Sequence, residues 1–282
     1  MAPKGQTADE GSSSMPGKPP RKVLAKSKEA VESVGQGTLD LIDHVGRLTL
    51  MVVETVKMGV RPPYRFRLLF ESMEEVGVGS LFIVMLTGLF TGMVMSLQGV
   101  IAFSAFNAET LVGGSVAIAL TRELSPVLSG LMVSGRSGSA MATTLGTMRV
   151  TEQIDAMEVM AVSSLQYLVV PRVIAAVLML PLLTLLFDFV GMLGGYFVAV
   201  EVMGVDGGLF IAKIKDFVVP MDLVKGSIKG AFFGASIAVM SCYRGYYASG
   251  GAKGVGEATT SAVVLSSISI LVLNYFLDLV LW

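Results

Sequence analysis

Two charged residues, Arg122 and Glu123, interrupt a long apolar run that extends from residue 111 to about residue 148. A charge at the centre of a bilayer costs about 2.5–3.5 kcal/mol on insertion scales, so such residues usually face a cavity or each other. We therefore expect Arg122 and Glu123 to bind a ligand within the membrane. The alternatives are an interhelical ion pair and a position near the outer headgroups. Pro126 would bend this helix and free backbone groups beside the pair.

Three further polar residues lie in apolar runs: Asp188, Asn274 and Asp278. Asp188 is a lone acid among Leu, Phe and Val, and a hydrogen-bonded packing role fits the sequence as well as a functional one. Asn274 and Asp278 are spaced to share one face of a helix. Asp278 also fits a position at the outer interface, so the sequence does not choose a role for these three residues.

A serine protease motif, GxSG, is matched by residues 135–138. A catalytic serine needs a nearby base to activate its hydroxyl group. The only histidine of the chain, His44, precedes every apolar run and therefore has no workable geometry with Ser137. The sequence disfavours an intramembrane protease, and we expect Arg136 to fix helix packing near the cytoplasmic end of its helix.

Residues 151–161, TEQIDAMEVMA, form a short patterned stretch between two long apolar runs. On a helix that turns by about 100° per residue, Glu152 and Asp155 lie on one side and Ile154 and Met157 on the other. The stretch is too short and too acidic to cross a bilayer. Such a helix suits the groove of a soluble partner, with methionines as adaptable contacts. The periodicity is equally consistent with a plain connecting helix.

The composition indicates a polytopic membrane protein. Hydrophobic residues make up 53% of the 282 residues and charged residues only 15%, whereas soluble domains carry about 25% charged residues. The mean hydropathy is +0.71. Cys242 is the only cysteine, which excludes an internal disulfide, a zinc site built from cysteines and a CxxC redox site.

Five apolar runs are long enough to cross a bilayer, which takes about 20 helical residues. We predict spans at residues 76–103, 111–148, 171–200, 223–247 and 258–282. The second run is too long for one simple crossing, so we expect a bent helix that reaches the cytoplasm. The expected fold is an all-α polytopic membrane protein with an N-terminal interfacial amphipathic helix, five transmembrane helices and a cytoplasmic helix between the second and third.

The residues before the first span divide into two parts. Residues 1–37 are rich in Lys, Ser, Gly, Pro and Glu and lack the apolar segment of a signal peptide, which predicts a disordered cytoplasmic tail. Apolar residues recur three and four positions apart over residues 38–58, as in a helix that lies in the membrane surface or in a soluble core helix. We divide the chain into the tail, an interfacial and headgroup-layer segment at 38–75, and a five-span domain at 76–282.

Positive charges near span ends favour the cytoplasm. Arg149 and Arg172 flank the 151–161 stretch, which we therefore place inside, whereas SAFNAET after the first span has no Lys or Arg. This orientation puts the N-terminus inside and the C-terminus outside. Lys213 and Lys215, between the third and fourth spans, oppose it, although nearby acidic residues offset them.

Small residues recur at four-residue intervals within the predicted spans. The positions are Gly88 and Gly92, Gly191 and Gly195, and the ladder of Gly226, Gly230 and Gly234. Small residues let helix backbones approach closely in a membrane. We expect them to form a tight bundle or a dimer face.

Residues 121–172 resemble the signature region of the MlaE/YrbE-type permeases, the membrane subunits of ABC transporters that move phospholipid between bacterial inner and outer membranes. The motifs RELSPV, GRSGSAMA, EQIDAMEVMAV and VVPR occur in the order found in that family. The similarity of the hydropathy layout extends over residues 40–282 and leaves the tail uncovered.

The resemblance implies that residues 151–161 are a coupling helix that docks on a cytoplasmic ATPase. The implied coupling residues are Glu152, Gln153, Asp155, Met157 and Glu158. Arg122 and Glu123 would lie beside a lipid cavity at the interface of a homodimer, where the Arg meets a phosphate. The implied partners are a second copy of the chain, a cytoplasmic ABC ATPase, a periplasmic MCE-domain protein and a phospholipid, in a bacterial inner membrane and without nucleic acid.

No phosphate loop of the form GxxxxGK[ST] occurs in the sequence, so we expect ATP and Mg²⁺ on a separate ATPase and no catalytic residue, cofactor or metal in this chain. The alternative function is a proton- or ion-coupled secondary carrier of a hydrophobic substrate. Arg122, Glu123 and Asp188 would form its relay, and the Gly and Pro breaks suit discontinuous helices.

Overall fold

The computed structural model of the chain describes residues 42–59 and 65–281. These residues form helices and no strands, which confirms the all-α class. The helices are α1 (residues 42–59), α2 (Phe66–Ser104), α3 (Glu109–Val150), α4 (Gln153–Val159), α5 (Leu165–Val202), α6 (Gly207–Phe217), α7 (Pro220–Tyr246) and α8 (Gly251–Leu281). Within the described residues, α2, α3, α5, α7 and α8 are long and apolar enough to cross a membrane, so the chain is a multi-pass membrane protein.

The spanning helices extend beyond the apolar runs that predicted them. At a rise of about 1.5 Å per residue, α2 and α3 are about 58 and 63 Å long, against a hydrocarbon core of about 30 Å. As a result, α2 begins at Phe66, before the predicted start at residue 76, and α5 begins at Leu165, before the predicted start at residue 171. A helix that leaves the hydrocarbon keeps its own backbone hydrogen bonds, so an apolar run marks only the buried part of it.

Glycines bring the spanning helices into backbone contact. A Cβ atom on Gly92 of α2 would overlap the carbonyl group of Gly191 in α5, and one on Gly234 of α7 would overlap the carbonyl of Ala176 in α5. The structure therefore confirms the close packing predicted from the spacing of small residues and assigns these glycines to the interior of the bundle.

The helix predicted at residues 151–161 is shorter in the structure. Glu152 has a φ angle of 60° and Ala161 a φ angle of 57°, both in the left-handed region that non-glycine residues rarely adopt. These two residues bound the turn on either side of α4, so the helix itself covers only Gln153–Val159.

A helix that the sequence analysis did not predict, α6, lies between the third and fourth spans. Asp206 caps it by accepting a hydrogen bond from the backbone N–H of Leu209 at 2.7 Å. Phe210 is buried, and its ring packs edge-on against Tyr196 of α5. The capping Asp before an apolar, 3.6-periodic stretch was the available signal.

The interfacial segment contributes α1, which overlaps the surface helix predicted at 38–58. The chain divides into two units between Leu50 and Met51. In the first, Asp43 pairs with Arg47 at 2.7 Å, one turn apart. In the second, Met51 and Thr55 are buried. The tail predicted at residues 1–37 lies outside the described residues.

Candidate functional site

The Arg122–Glu123 pair lies on a π-helical turn of α3, Leu120–Leu124. π-helical turns are frequent at functional sites. Pro126 follows and has no N–H group, so it cannot donate to the carbonyl of Arg122 four residues earlier. The Nζ atom of Lys229 in α7 donates to that carbonyl at 2.7 Å instead. The prediction that Pro126 frees a backbone group beside the pair is confirmed.

Lys229 is the centre of a network of charged groups inside the bundle. Its side chain is 0% exposed, and its ammonium donates to Asp278 Oδ1 at 2.6 Å and to Glu123 Oε1 at 3.2 Å. An ammonium has three donors, and the third reaches the Arg122 carbonyl. A buried charge requires such pairing, because each unsatisfied contact leaves its desolvation cost uncompensated.

Two residues of α8 complete the network. Asn274 donates from Nδ2 to Glu123 Oε2 at 3.0 Å and to Asp278 Oδ2 at 3.1 Å. Both carboxylates therefore accept from Lys229 on one oxygen and from Asn274 on the other. We call the set of six side chains that links α3, α7 and α8 the charge cluster: Arg122, Glu123, Asp222, Lys229, Asn274 and Asp278.

Arg122 joins Asp222, at the first turn of α7, to the charge cluster, because its carbonyl accepts from Lys229 while its guanidinium pairs with Asp222. The guanidinium lies 3.2 Å from Asp222 Oδ1. Gly226, one turn further along the same face, allows this approach, because a Cβ atom there would lie 2.6 Å from the carbonyl oxygen of Thr121 in α3. The first glycine of the predicted ladder therefore brings α7 against the π-helical turn that carries the charges.

The charge cluster is closed on one side and open on the other. The side chains of Lys229 and Asp222 are 0% and 5% exposed, whereas those of Glu123 and Arg122 are 44% and 37% exposed. The charges therefore form the interhelical ion pairs that the sequence allowed, and ligand binding by the partly exposed Arg122 and Glu123 stays a prediction. An exposed guanidinium within apolar helices can bind a phosphate through two parallel hydrogen bonds.

The sequence analysis missed Lys229 and Asp222, although a signal was available. Both residues lie within α7, and Lys229 falls inside the span predicted at 223–247, where a charge carries the same cost that singled out Arg122. The sequence analysis interpreted this segment only as a packing surface, because of the glycines on either side of Lys229. Asn274 and Asp278, left undecided by the sequence, belong to the charge cluster.

Asp188 lies in a separate polar contact between α3 and α5. Ser125 donates from Oγ to Asp188 Oδ1 at 2.5 Å, and Asp188 is buried. One turn further along α3, the hydroxyls of Ser129 and Thr184 are 3.1 Å apart. These contacts favour the packing role for Asp188 over the relay role.

Ser137 and Arg136 fasten α3 to α2 near the start of the first span. Arg136 donates from a guanidinium nitrogen to the backbone carbonyl of Glu75 at 3.0 Å, as expected of a packing residue. The hydroxyl of Ser137 is buried and lies 2.9 Å from that of Ser80. Neither contact supplies the base that a catalytic serine needs.

At the other end of α7, α4 is bonded to the bundle. Glu158 Oε1 accepts from the hydroxyl of Tyr246 at 2.8 Å and from Ser164 Oγ at 3.3 Å. Asp155 pairs with Arg149 at the end of α3. Three side chains on one side of α4 thereby contact the rest of the bundle, because Ile154 is also fully buried.

The outer surface of α4 combines acidic and apolar groups. Glu152 and Gln153 are exposed, and Met157 is partly exposed. Val159 and Met160, which were not among the predicted coupling residues, are 88% and 66% exposed. Two large apolar side chains beside a carboxylate and an amide form a surface suited to a protein partner.

The sequence model of a known family, described as Permease MlaE, matches residues 69–280. The chain belongs to the MlaE permease family. A probable ABC transporter permease protein of Rickettsia bellii is 42% identical over 245 residues, which cover 87% of this chain and 95% of the relative. The family resemblance inferred from the motifs is confirmed.

Two further relatives carry more specific names. The intermembrane phospholipid transport system permease protein MlaE of Haemophilus influenzae is 36% identical over 253 residues, 89% of this chain and 97% of the relative. Protein TRIGALACTOSYLDIACYLGLYCEROL 1, chloroplastic, of Arabidopsis thaliana is 41% identical over 208 residues, 74% of this chain and 59% of the relative. The part of the chain that the MlaE family model matches contains both the charge cluster and α4 and begins after α1.

Proposed function

We propose that this chain is the transmembrane permease subunit of an ATP-driven ABC transporter that moves phospholipids between the inner and the outer membrane of a bacterium. Membership of the MlaE family and the name of the Haemophilus influenzae relative, a phospholipid transport permease, support the substrate class. The single observation that carries the proposal is the open side of the charge cluster, where Arg122 and Glu123 are exposed within membrane-spanning helices.

The chemistry of the charge cluster suits a phospholipid. The exposed part of the Arg122 guanidinium meets the phosphate, while the buried Lys229 holds Glu123 and Asp278 in place. Apolar faces of the surrounding helices take the acyl chains. A cavity large enough for a lipid forms where two copies of the chain meet in a homodimer.

The proposed assembly places each partner on one side of the membrane. The N-terminus lies in the cytoplasm and the C-terminus in the periplasm, so α4 meets a cytoplasmic ABC ATPase and the opposite end of the bundle meets a periplasmic MCE-domain protein. ATP and Mg²⁺ bind to the ATPase. The coupling residues Glu152, Gln153, Asp155, Met157 and Glu158 comprise those that contact the ATPase and those that hold α4 on the bundle.

Helix α7 joins α4 to the charge cluster. Tyr246 contacts α4, and Lys229 lies 17 residues earlier on the same helix, which is about 25 Å at 1.5 Å per residue. A rigid helix with one end on each site transmits a displacement of α4 to the cargo cavity. This arrangement gives ATP turnover on the partner a direct route to the cavity.

The test is phospholipid transfer by the reconstituted complex. We expect transfer to require both the ATPase and ATP, and to fall about tenfold, the effect of about 1.4 kcal/mol, in Glu123→Gln with the ATPase still bound. Glu257→Gln is the matched control, because the same change is made to a side chain that is 72% exposed at the start of α8. Equal transfer by the two variants would contradict the role of Glu123.

The ATPase contact is tested separately by charge reversal. Glu152→Lys should weaken co-purification of the ATPase while the bundle stays folded, because Glu152 is exposed and its carboxylate forms no ion pair among the described residues. Glu109→Lys makes the same change at the opposite end of α3 and should leave the ATPase bound. Co-purification that is the same for both variants would count against docking on α4.

An ion-coupled carrier is the second candidate, favoured by the buried Lys229 with its two carboxylates. Such a carrier works without an ATPase. Proteoliposomes that contain this chain alone, given a proton or sodium gradient, should therefore transfer no lipid. Lipid transfer driven by a gradient in that preparation would show that the chain is an ion-coupled carrier and would contradict the proposal of an ABC permease.

A further inference from the structure

A second polar cavity lies far from the charge cluster, at the end of the bundle that carries α4. Its volume is about 270 Å³, and α2, α3 and α5 all contribute to its lining. Met148 lies on α3, 25 residues from Glu123, which corresponds to about 37 Å along the helix. The cavity is therefore separate from the cargo site.

Opposite charges line this cavity without neutralising each other. Glu75 of α2 and Arg172 of α5 both lie in its wall. Among the described residues, neither side chain forms an ion pair within 4.0 Å. Arg172 donates from one terminal nitrogen to the carbonyl of Leu168 at 2.7 Å, while its Nε is buried with no hydrogen-bond partner in the described part of the chain. Two opposite charges in one cavity wall that form no ion pair, one of them with an unused buried donor, indicate a ligand that satisfies both.

The remaining walls define where such a ligand lies. Glu71 also lines the cavity, but it is already paired with Arg67 at 3.0 Å, which leaves Glu75 as the available carboxylate. Tyr167 lines the cavity beside Arg172, and the guanidinium of Arg65 stacks 4.6 Å from the centre of its ring. Basic and aromatic residues of this kind are enriched at the headgroup layer of a membrane.

The size of the cavity limits the occupant. Pockets for drug-sized molecules run from about 300 to 1,000 Å³, so about 270 Å³ is too small for a whole phospholipid and sufficient for its headgroup. Leu68 and Met148 add apolar surface to the wall, which suits the start of a glycerol backbone. The chemistry that fits is an anionic phosphate joined by a short linker to a cationic amine.

We propose that Arg172 and Glu75 form a binding site for a zwitterionic phosphoethanolamine headgroup, with the phosphate on Arg172 and the amine on Glu75. The site is distinct from the charge cluster and does not depend on the transport activity. It takes a lipid of the membrane leaflet on the α4 side, where the ends of α2, α3 and α5 meet.

The test is lipid binding to the full-length chain in detergent, measured by native mass spectrometry during titration with dioleoyl-phosphatidylethanolamine. Arg172→Gln and Glu75→Gln should each weaken binding about tenfold. Glu74→Gln is the matched control from the same segment, because Glu74 does not line this cavity, and it should retain wild-type affinity. Phosphatidylglycerol, which lacks the amine, should respond to Arg172→Gln and not to Glu75→Gln.

Thermal unfolding identifies a variant that fails to fold. If Arg172→Gln does not fold, lipid binding by Glu75→Gln still tests the proposal. Competition with soluble phosphoethanolamine distinguishes a membrane lipid from a free headgroup. If an excess of the soluble compound does not displace bound phosphatidylethanolamine, the occupant is the membrane lipid. The proposal would be overturned if Glu75→Gln and Arg172→Gln bound phosphatidylethanolamine with the same affinity as Glu74→Gln. Loss of the same binding in Glu123→Gln, with both site variants unaffected, would assign the lipid to the charge cluster instead.

Discussion

Replacing Lys229 with methionine removes the cation that holds the charge cluster together, and we expect it to destabilise the bundle. The ammonium makes three contacts: 2.6 Å to Asp278, 3.2 Å to Glu123 and 2.7 Å to the Arg122 carbonyl. Methionine has a similar length and stays apolar, so the change removes the charge with little change in volume.

The magnitude follows from burial. Removing one partner of a buried ion pair costs about 3–5 kcal/mol, because the other charge is left uncompensated. The side chains of Glu123 and Asp278 are 44% and 27% exposed, so these carboxylates are only partly desolvated and bear only part of that cost. Hydrogen bonds between membrane helices also average only about 0.6 kcal/mol. We therefore expect Lys229→Met to lower the free energy of unfolding by about 2–4 kcal/mol.

A second substitution separates charge from packing. Adding Asp278→Asn to Lys229→Met removes one stranded carboxylate, so the double variant should recover about 1–2 kcal/mol of the loss. Lys253→Met is the control, since that lysine is 89% exposed and its ion pair contributes about 0–1 kcal/mol. The assay is denaturant unfolding of the purified chain in detergent. The reasoning would be refuted if Lys229→Met had the same free energy of unfolding as Lys253→Met, or if the double variant had a lower one than Lys229→Met.

The remaining predictions concern helix packing and transmission. Gly92→Ala should lower the free energy of unfolding by about 1–3 kcal/mol, because its Cβ would overlap a backbone carbonyl. Gly135 has open space around it, so Gly135→Ala should raise the free energy of unfolding by up to about 1 kcal/mol. Denaturant unfolding curves measure both. Tyr246→Phe removes the hydroxyl bonded to α4 and should slow ATP-driven transfer with the ATPase still bound, measured by transfer per ATP hydrolysed, while Tyr196→Phe should not. Equal effects within either pair would contradict its prediction.

The spans were predictable because a bilayer imposes one simple rule. A helix of about 20 apolar residues has no alternative partner for its backbone groups, so hydropathy alone locates all five spanning helices. The same rule does not locate their ends, since α2 begins at Phe66, ten residues before the apolar run predicted to start at residue 76. The helix α6 was missed because it is short and amphipathic. Its charged residues, such as Lys213 and Lys215, were interpreted as part of a loop between the third and fourth spans.

The candidate site was half predictable. Arg122 and Glu123 stood out because two adjacent charges interrupt an apolar run, and Pro126 correctly indicated a freed backbone group. The partners could not be paired from sequence, since Lys229 is 106 residues from Glu123 along the chain and the distance between helices is set by packing. That packing depends on Gly226, whose missing side chain brings α7 against α3.

At α4 the sequence did not reveal which of the predicted coupling residues contact the rest of the bundle. Glu152, Asp155 and Glu158 are acidic residues of one short stretch, yet Asp155 pairs with Arg149 and Glu158 accepts from Tyr246, whereas the carboxylate of Glu152 forms no ion pair among the described residues. Those partners come from the ends of α3 and α7, which periodicity within α4 cannot reveal.

The most direct test of the account is mass spectrometry of the lipid that remains bound to the intact complex. In an Arg172→Gln background, which weakens the headgroup site on the α4 side, we expect intact phospholipid to stay with the complex and to be lost when Glu123→Gln is added. Phospholipid retained equally with and without Glu123→Gln, or a complex that holds no phospholipid at all, would contradict a cargo site at Arg122 and Glu123.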